Sequence, residues 1–237
     1  ATFLWISSNV IFEKMKKNIA IILARKGSKA IKNKNLVSLN GKPLIYWSIK
    51  ACLKSKKISS VWVSSDSDRI LNVAKKYGSN IIKRPKKFAS DKSTSDLAWL
   101  HAVKYLNNKK IYSTSVIGVQ PTSPIRSSKD LDYAIKKFYY NRLDSMFSAQ
   151  KIFNHFIWKN TKKGLQANYN YTKRPMRQDI NEKYLENGSF YIFNSKIFLK
   201  KKCRLFGKIG VYVMNKIQSL EIDDKIDLDI LESLKKF

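Results

Sequence analysis

Acidic residues are scarce in this chain of 237 residues, which has 17 Asp and Glu against 47 Lys and Arg, and a formal net charge of +30. A basic surface attracts phosphate backbones, so this charge balance raises nucleic-acid binding as an interpretation. The basic residues comprise 39 Lys and only 8 Arg, and the Lys are spread along the whole chain. Two explanations of the high Lys content stay open. One is a biased coding sequence that enriches Lys, Asn and Ile, and the other is a true polyanion-binding surface.

Cysteine and histidine are also scarce, with two residues of each. Cys52 and Cys203 are far apart, and neither lies in a C-x-x-C or a Cys/His group, so the sequence predicts neither a zinc site nor a disulfide framework. We interpret both as reduced thiols of a cytosolic protein. His101 falls inside a predicted helix and is interpreted as a packing or surface residue. His155 lies in an irregular stretch, where a substrate or subunit contact is also open.

Long hydrophobic runs are missing, and the mean hydropathy is -0.37, so we expect no membrane-spanning segment. Residues 1–14 are apolar but lack a basic n-region and a small-x-small cleavage site. We therefore interpret them as a non-native or arm-like extension rather than as a signal peptide. Residues 15–237 are long enough for a single domain with one sizeable core, and we expect an insertion at about 151–186.

Apolar runs alternate with amphipathic stretches, which predicts an α/β fold with a doubly wound, mainly parallel sheet. Predicted strands cover 19–24, 60–65, 80–83, 116–119, 144–149, 189–193 and 211–214, and predicted helices cover 43–55, 69–77, 94–106, 128–140 and 227–236. Such sheets bind ligands at the carboxyl ends of their strands. The periodicity breaks over 151–186, where aromatic and basic residues are frequent. We interpret the aromatic residues of this stretch, and Tyr139 and Tyr140, as interface or core.

The loop after the first predicted strand combines glycine, serine and cations without one acidic residue. Backbone N–H groups of Gly27 and Ser28 can approach a phosphate, and Arg25, Lys29 and Lys34 can neutralise its charge. The loop is neither a Walker A sequence nor a G-x-G-x-x-G turn. Taken alone, it is equally typical of a solvated basic turn.

Further polar motifs follow this loop in a fixed order. They are Ala24-Arg25-x-Gly27-Ser28-Lys29, Lys34-Asn35, Gly41-Lys42-Pro43, Val63-Ser64-Ser65-Asp66, Arg84-Pro85, Ala89-Ser90-Asp91, Gln120-Pro121-Thr122-Ser123-Pro124-x-Arg126, Arg177-Gln178-Asp179, Glu186-Asn187-Gly188 and Glu221-Ile222-Asp223. With this order, over residues 18–234, the chain resembles the acylneuraminate cytidylyltransferases, also called CMP-sialic acid synthetases. The resemblance implies a Rossmann-like nucleotidyltransferase domain, with an inserted dimerisation element that makes the protein a homodimer.

The resemblance also implies a reaction. The anomeric hydroxyl of an acidic nine-carbon 2-keto sugar would attack the α-phosphate of CTP, with Mg²⁺ as cofactor and pyrophosphate as leaving group. The sugar would be N-acetylneuraminate or a relative such as legionaminate. The protein would be cytoplasmic and would serve cell-surface polysaccharide synthesis. We expect neither a specific nucleic acid nor a membrane as its partner. Two alternatives stay open: an enzyme for pseudaminate or another 2-keto sugar acid, and a noncatalytic polyanion-binding protein that kept the fold.

Site residues follow from the same resemblance. The catalytic residues would be Arg25, Lys34 and Asp223, and the metal ligands would be Asp223 and Glu221. The nucleotide would be bound by Ala24, Ser28, Asn35, Arg84 and Ser95. The sugar would be bound by Gln120, Thr122, Ser123, Arg177, Asn187 and Tyr191.

The chain departs from the family pattern at three positions, Ala30, Lys32 and Glu221. Ala30 stands where family members usually carry Gly, and Lys32 stands where they usually carry Pro, so the first loop differs in its backbone preferences. Glu221 replaces the usual first Asp of the metal motif and is one methylene longer. An octahedral Mg²⁺ accepts such a carboxylate directly or through water.

Overall fold

A computed structural model describes residues 16–28, 30–153, 156–176 and 182–234. The extension predicted for residues 1–14 lies outside the described residues. The same holds for Lys29, His155 and Arg177, which were named as candidate site or contact residues.

The strands are β1 (Asn18–Leu23), β2 (Ser38–Leu39), β3 (Lys42–Pro43), β4 (Ser60–Ser65), β5 (Asn80–Lys83), β6 (Ser115–Val119), β7 (Ser145–Ile152), β8 (Trp158–Thr161), β9 (Gly164–Ala167), β10 (Lys183–Asn194) and β11 (Ile209–Met214). The α-helices are α1 (Leu44–Leu53), α2 (Asp68–Lys76), α3 (Ser95–Asn108), α4 (Ser128–Tyr140), α5 (Ser195–Lys201) and α6 (Lys225–Ser233). Two short 3-10 helices cover Lys34–Leu36 and Lys86–Phe88.

Seven strands form the central sheet in the order β11-β7-β10-β6-β1-β4-β5. Strand β1 pairs in parallel with β4 and β6, and β4 pairs in parallel with β5. Strand β10 runs antiparallel to both of its neighbours, β6 and β7. The predicted mainly parallel, doubly wound sheet is thus confirmed, with one reversed strand that the apolar pattern alone did not reveal.

Polar side chains cap the N-termini of three helices. The Ser67 side chain accepts a hydrogen bond from the backbone of α2, and Thr94 does the same for α3. Helix α4 is capped by Ser127, in a capping box with Asp130. These side chains satisfy N–H groups that have no partner within the helix, and so they fix where each helix begins.

Apolar residues fill both faces of the central sheet. One cluster joins β1, β4 and β6 to helices α1, α2 and α4, and the other joins the opposite face to α3 and α5. Trp99 of α3 is fully buried in the second cluster, where its indole Nε1 donates to the carbonyl oxygen of Ile21 at 3.1 Å. Its ring lies so close to Gly118 that a β-carbon there would overlap it, so the two residues set the distance between α3 and β6.

The stretch interpreted as an insertion contains the antiparallel hairpin β8–β9. Aromatic side chains gather beside it: the ring centroids of Phe156 and Tyr169 are 4.4 Å apart, and those of Trp158 and Tyr171 are 5.5 Å apart. Strand β10 is longer than predicted, because Lys183–Gly188 extends it towards this hairpin. Among the described residues, no helix has the length and apolar character needed to cross a bilayer.

Candidate active site

A cavity of about 570 Å³ opens where strands β1, β5 and β6 end. Its walls come from the loop after β1, the loop after β5, the first turn of α3 and the segment after β6. The predicted site residues that line it are Arg25, Ser28, Lys34, Asn35, Arg84, Ser95, Gln120, Thr122 and Asp223. The tertiary structure therefore brings together side chains that are up to 198 positions apart in the chain (223 - 25).

Five other predicted site residues are not part of the cavity wall formed by the described residues. They are Ala24, Ser123, Asn187, Tyr191 and Glu221. All except the partly buried Glu221 are buried, and the contacts described below place Ser123, Asn187 and Glu221 directly behind the segment that follows β6. The predicted sugar ligand Arg177 lies outside the described residues.

Backbone and side-chain hydrogen bonds shape the loop after β1. The N–H of Lys26 donates to Asp66 Oδ1 at 2.8 Å, and the buried Asn35 donates from Nδ2 to the carbonyl oxygen of Arg25 at 2.9 Å. Asn33 takes a left-handed conformation with φ of 56° just before the 3-10 helix Lys34–Leu36. Asn35, predicted as a nucleotide ligand, therefore also holds the loop closed upon itself.

Lys34 joins this loop to the distant Glu221-Ile222-Asp223 motif. Its Nζ donates to the carbonyl oxygen of Ile222 at 2.7 Å and to that of Asp223 at 3.2 Å, and it lies 3.5 Å from Asp223 Oδ1. The Lys34 side chain is only 11% exposed, whereas that of Asp223 is 78% exposed. The ammonium group thus fixes the backbone of the motif while the Asp223 carboxylate faces the cavity.

Arg25 forms an ion pair across the cavity mouth with Asp91, with Nη1 and Oδ1 2.8 Å apart. The side chains are 38% and 56% exposed, and solvent-exposed pairs contribute about 0–1 kcal/mol. A bound anion can therefore replace the carboxylate at little cost. Asp91 was not named as a site residue, although its place in the Ala89-Ser90-Asp91 motif was the available signal.

Arg84 lines the cavity and has buried hydrogen-bond donors that no described residue uses. The residue is 4% exposed, yet its Nε and Nη2 have no partner among the described residues. Burial lowers the pKa of Arg84 to about 10; nearby Asp66 opposes this shift and Arg25 adds to it. The side chain stays charged at neutral pH. Buried donors without partners are rare in folded proteins, so this pair indicates a place for a ligand or ordered water.

A polar cluster lies behind the cavity-lining residues 120–122. It consists of the buried Ser123 and Asn187 and the partly buried Glu221. Ser123 Oγ lies 3.0 Å from the carbonyl oxygen of Asn187 and 3.3 Å from Glu221 Oε1. The Asn187 side chain donates to Ser219 Oγ at 2.9 Å and accepts from Ser148 Oγ at 2.7 Å. These contacts engage the Ser123 hydroxyl and both polar atoms of the Asn187 side chain within the protein.

Gly188 makes this cluster possible. Its φ is +60°, which favours glycine, and a β-carbon there would overlap Glu221 Oε1. Burial raises the pKa of Glu221, and the neighbouring charge of Asp223 adds to the rise, while the contact with Ser123 opposes it. The charges of Glu221 and Asp223 therefore disfavour each other, and a cation bound near both would relieve this repulsion.

Tyr191 lies on β10, with its ring 5.7 Å from that of the buried Trp99. Its hydroxyl donates to Glu186 Oε2 at 2.9 Å, and the guanidinium carbon of Arg204 lies 4.5 Å from the ring centroid. Burial raises the pKa of Tyr191 to about 12, so its hydroxyl is protonated at neutral pH.

The described residues contain no group of three or more His, Cys, Asp or Glu side chains that could hold a metal ion by themselves. Glu221 and Asp223 supply two carboxylates, one half-buried and one at the cavity wall. Mg²⁺ commonly takes one or two protein carboxylates and completes its shell with water and substrate phosphates. The donor set thus suits a metal that arrives with, or is completed by, a phosphate ligand.

The family model described as cytidylyltransferase matches residues 19–237. The chain belongs to the cytidylyltransferase family. N-acylneuraminate cytidylyltransferase A of Danio rerio is 36% identical over 90% of this chain and 49% of its own length. Pseudaminic acid cytidylyltransferase of Campylobacter jejuni is 30% identical over 93% of this chain and 97% of its own length. The chain thus spans about half the length of the first relative and nearly all of the second.

Solved structures agree with this cytidylyltransferase fold. The structure of CMP:2-keto-3-deoxy-manno-octonic acid synthetase complexed with CTP superimposes with a TM-score of 0.68 at 16% sequence identity, covering 92% of this chain and 98% of the other. At this identity the likeness concerns the fold alone. It confirms the Rossmann-like arrangement of sheet and helices.

The bridge made by Lys34 leads to a prediction about stability. We expect Lys34→Met to lower the free energy of unfolding by about 1–3 kcal/mol, because two carbonyl oxygens lose their charged donor. Urea denaturation followed by circular dichroism measures this difference. The control is Lys32→Met in the same exposed loop, which we expect to stay within about 0.5 kcal/mol of the original protein. Equal stability of the two variants would contradict a structural role for the Lys34 bridge.

Proposed function

We propose that this protein transfers the cytidylyl group of CTP to the anomeric hydroxyl of an acidic nine-carbon 2-keto sugar. The anomeric oxygen forms a bond to the α-phosphorus, the bond from that phosphorus to the bridging oxygen breaks, and pyrophosphate leaves. The hydroxyl proton passes to a carboxylate or to water. The observation that carries the proposal is one cavity lined by Arg25, Lys34 and Asp223 together with Arg84, whose buried Nε and Nη2 have no partner among the described residues.

The unused donors of Arg84 suit the base of CTP. Nε and Nη2 lie on one edge of the planar guanidinium and donate in parallel to two neighbouring acceptors. Cytosine offers O2 and N3 as such a pair, whereas uracil carries a hydrogen on N3. Ser95 lies at the first turn of α3 beside the same cavity and would complete the nucleoside side.

The loop after β1 suits the triphosphate. Ala24 leads out of β1, and its N–H donates to the carbonyl oxygen of Ser64 at 3.0 Å, so the backbone enters the loop from a fixed position. Arg25 and Lys34 bring positive charge, and the backbone near Ser28 is free of side-chain crowding at the adjoining Gly27. Fixed charges offset the repulsion between two anionic substrates and the charge that moves onto pyrophosphate.

The sugar acid would occupy the remaining side of the cavity, next to Gln120 and Thr122. Tyr191 and Arg177 would contact its polar substituents from β10 and from the stretch before it. Ser123 and Asn187 would act at the back of this wall. Holding the anomeric oxygen in line with the α-phosphate contributes up to roughly 7–11 kcal/mol to such reactions.

Asp223 and Glu221 would hold Mg²⁺ at the edge between the two substrates. When bound, the ion supplies positive charge to the triphosphate. Burial raises the pKa of Glu221, and the charge of Asp223 adds to the rise, so a cation near both carboxylates would be favourable. The use of CTP, a nucleotide of the cytosol, supports a cytoplasmic location as part of this proposal.

A turnover assay tests the proposed function. Purified protein with CTP and MgCl₂ is offered N-acetylneuraminate, legionaminate and pseudaminate in turn, and pyrophosphate release is followed. We expect turnover with at least one sugar, and we expect Asp223→Asn to need more Mg²⁺ than Asp229→Asn, a control on the exposed face of α6. No turnover with any sugar, together with tight nucleic-acid binding at physiological salt, would favour the polyanion-binding alternative.

The arginine fork predicts how the nucleotide is selected. We expect Arg84→Lys to reduce the preference for CTP over UTP by about 10- to 100-fold, because one ammonium group cannot replace two parallel donors. The measurement is the ratio of the kcat/KM values for the two nucleotides. Arg69→Lys, on the exposed side of α2, is the control and should keep the original ratio. An unchanged ratio in Arg84→Lys would remove Arg84 from base recognition.

A second copy of the chain would pack against the β8–β9 hairpin. Ile157, Trp158, Leu165 and Tyr171 are all exposed there, although they are large and apolar or aromatic. Large exposed apolar side chains that gather on one element mark interaction surfaces. The position of the hairpin agrees with the dimerisation element that the family resemblance implies.

Sedimentation velocity tests the dimer. We expect the original protein to sediment as a dimer and Leu165→Asp to shift it towards monomer, because a buried, unpaired carboxylate opposes association. The control is Gln166→Asp, because successive strand residues point to opposite faces. A monomeric original protein, or equal effects of the two variants, would contradict the proposed interface.

A further inference from the structure

Arg126 is a buried cation without a carboxylate partner. The residue is 4% exposed, and within the described part of the chain no acidic side chain lies within ion-pairing distance of it. Burial lowers the pKa of its guanidinium to about 10, so it remains charged at neutral pH. A buried charge is costly unless its hydrogen bonds are well satisfied, so its presence here calls for a physical reason.

The Arg126 guanidinium donates to three neutral oxygens that come from separate parts of the chain. Nε donates to Ser189 Oγ at 2.9 Å, Nη1 donates to Ser48 Oγ at 2.6 Å, and Nη2 donates to the carbonyl oxygen of Gln120 at 2.5 Å. Ser48 belongs to α1, Ser189 belongs to β10, and Gln120 directly follows β6. An apolar side chain of similar volume would fill the space, but only a rigid fork of donors can hold these three elements at fixed mutual distances.

The segment that Arg126 holds is a wall of the cavity. Gln120, Pro121 and Thr122 all line it. The N–H of Gln120 also donates to the carbonyl oxygen of Ser189 at 3.3 Å, and the carbonyl oxygen of Thr122 accepts from the N–H of Ile222 at 2.8 Å. Arg126 therefore supports the wall from behind, at the place where β10 and the Glu221-Ile222-Asp223 motif meet it.

We propose that Arg126 is a positioning residue that holds the Gln120–Thr122 wall where the sugar acid meets the nucleotide. This inference rests on the proposed function, since it concerns the second substrate of the same reaction. Arg126 touches neither substrate and acts through the Gln120 backbone. Its loss should displace the sugar side of the cavity and leave the side formed by Arg25, Lys34 and Arg84 in place.

Arg126→Lys provides the first test, because it keeps the charge but loses the fork. We expect kcat/KM for the sugar acid to fall by about 100-fold, since small misplacements of a reacting group have effects of this size. Calorimetric titration of CTP without sugar should give a dissociation constant within about twofold of the original, because that half of the cavity keeps its contacts. The two readouts together separate positioning from a general loss of structure.

Tyr139→Phe is the matched control. It also removes buried or half-buried hydrogen bonds, from the Tyr139 hydroxyl to Asn18 Oδ1 and Ser115 Oγ, but at the opposite end of β1 and β6. We expect it to lower thermal stability without changing KM for the sugar. If Arg126→Lys does not fold, Ser189→Ala decides, since it removes one acceptor and keeps Arg126; we expect a smaller loss in the same kinetic constant.

The possible outcomes separate a failure of the proposed function from a failure of the role proposed for Arg126. An original protein that turns over no sugar acid would overturn the proposed function, and this inference with it. An active original protein, together with a folded Arg126→Lys or Ser189→Ala variant of unchanged kcat/KM for the sugar, would overturn only the role of Arg126. An equal loss in CTP affinity and in sugar kinetics would also overturn it, because the effect would then extend over the whole cavity.

Discussion

The position of β10 between β6 and β7 is the constraint on which the candidate site depends. This strand runs against its two neighbours, so its early residues, Glu186 to Ser189, reach the edge where β1 and β6 end. The hydrogen bond from the Gln120 N–H to the carbonyl oxygen of Ser189 continues the β6–β10 pairing into the cavity wall. With β10 parallel, the Glu186-Asn187-Gly188 motif would lie at the other edge of the sheet.

Two buried arginines show how similar side chains serve different purposes. Arg126 uses Nε, Nη1 and Nη2 within the protein, whereas Arg84 has Nε and Nη2 without partners among the described residues. A guanidinium whose donors are bonded within the protein stabilises an arrangement of the backbone. A buried guanidinium with unpartnered donors can bind a ligand or an ordered water. The difference is invisible in composition, because both residues count equally towards the net charge of +30.

The large positive charge therefore says less about function than the placing of a few cations. Arg25, Lys34 and Arg84 line the cavity, and most other basic residues are distributed over the exposed surface. The chain belongs to the cytidylyltransferase family, and two relatives are named for different nonulosonic acids. Both findings agree with a function that depends on a few cations in the cavity rather than on the net charge. These relatives are named for two different sugar acids, so membership of the family alone leaves the particular substrate open.

Local patterns in the sequence determined the alternation of strands and helices, the polar helix caps and the loops that end β1, β5 and β6, because these depend on side-chain periodicity and on turn chemistry. The ordered motifs also identified the family and most of the cavity wall. Only the tertiary structure decided that β10 is antiparallel, that Lys34 binds the carbonyl oxygens of residues 222 and 223, and that Ser123 and Asn187 lie behind the wall. These features arise from contacts between distant parts of the chain, whose partners no local pattern specifies.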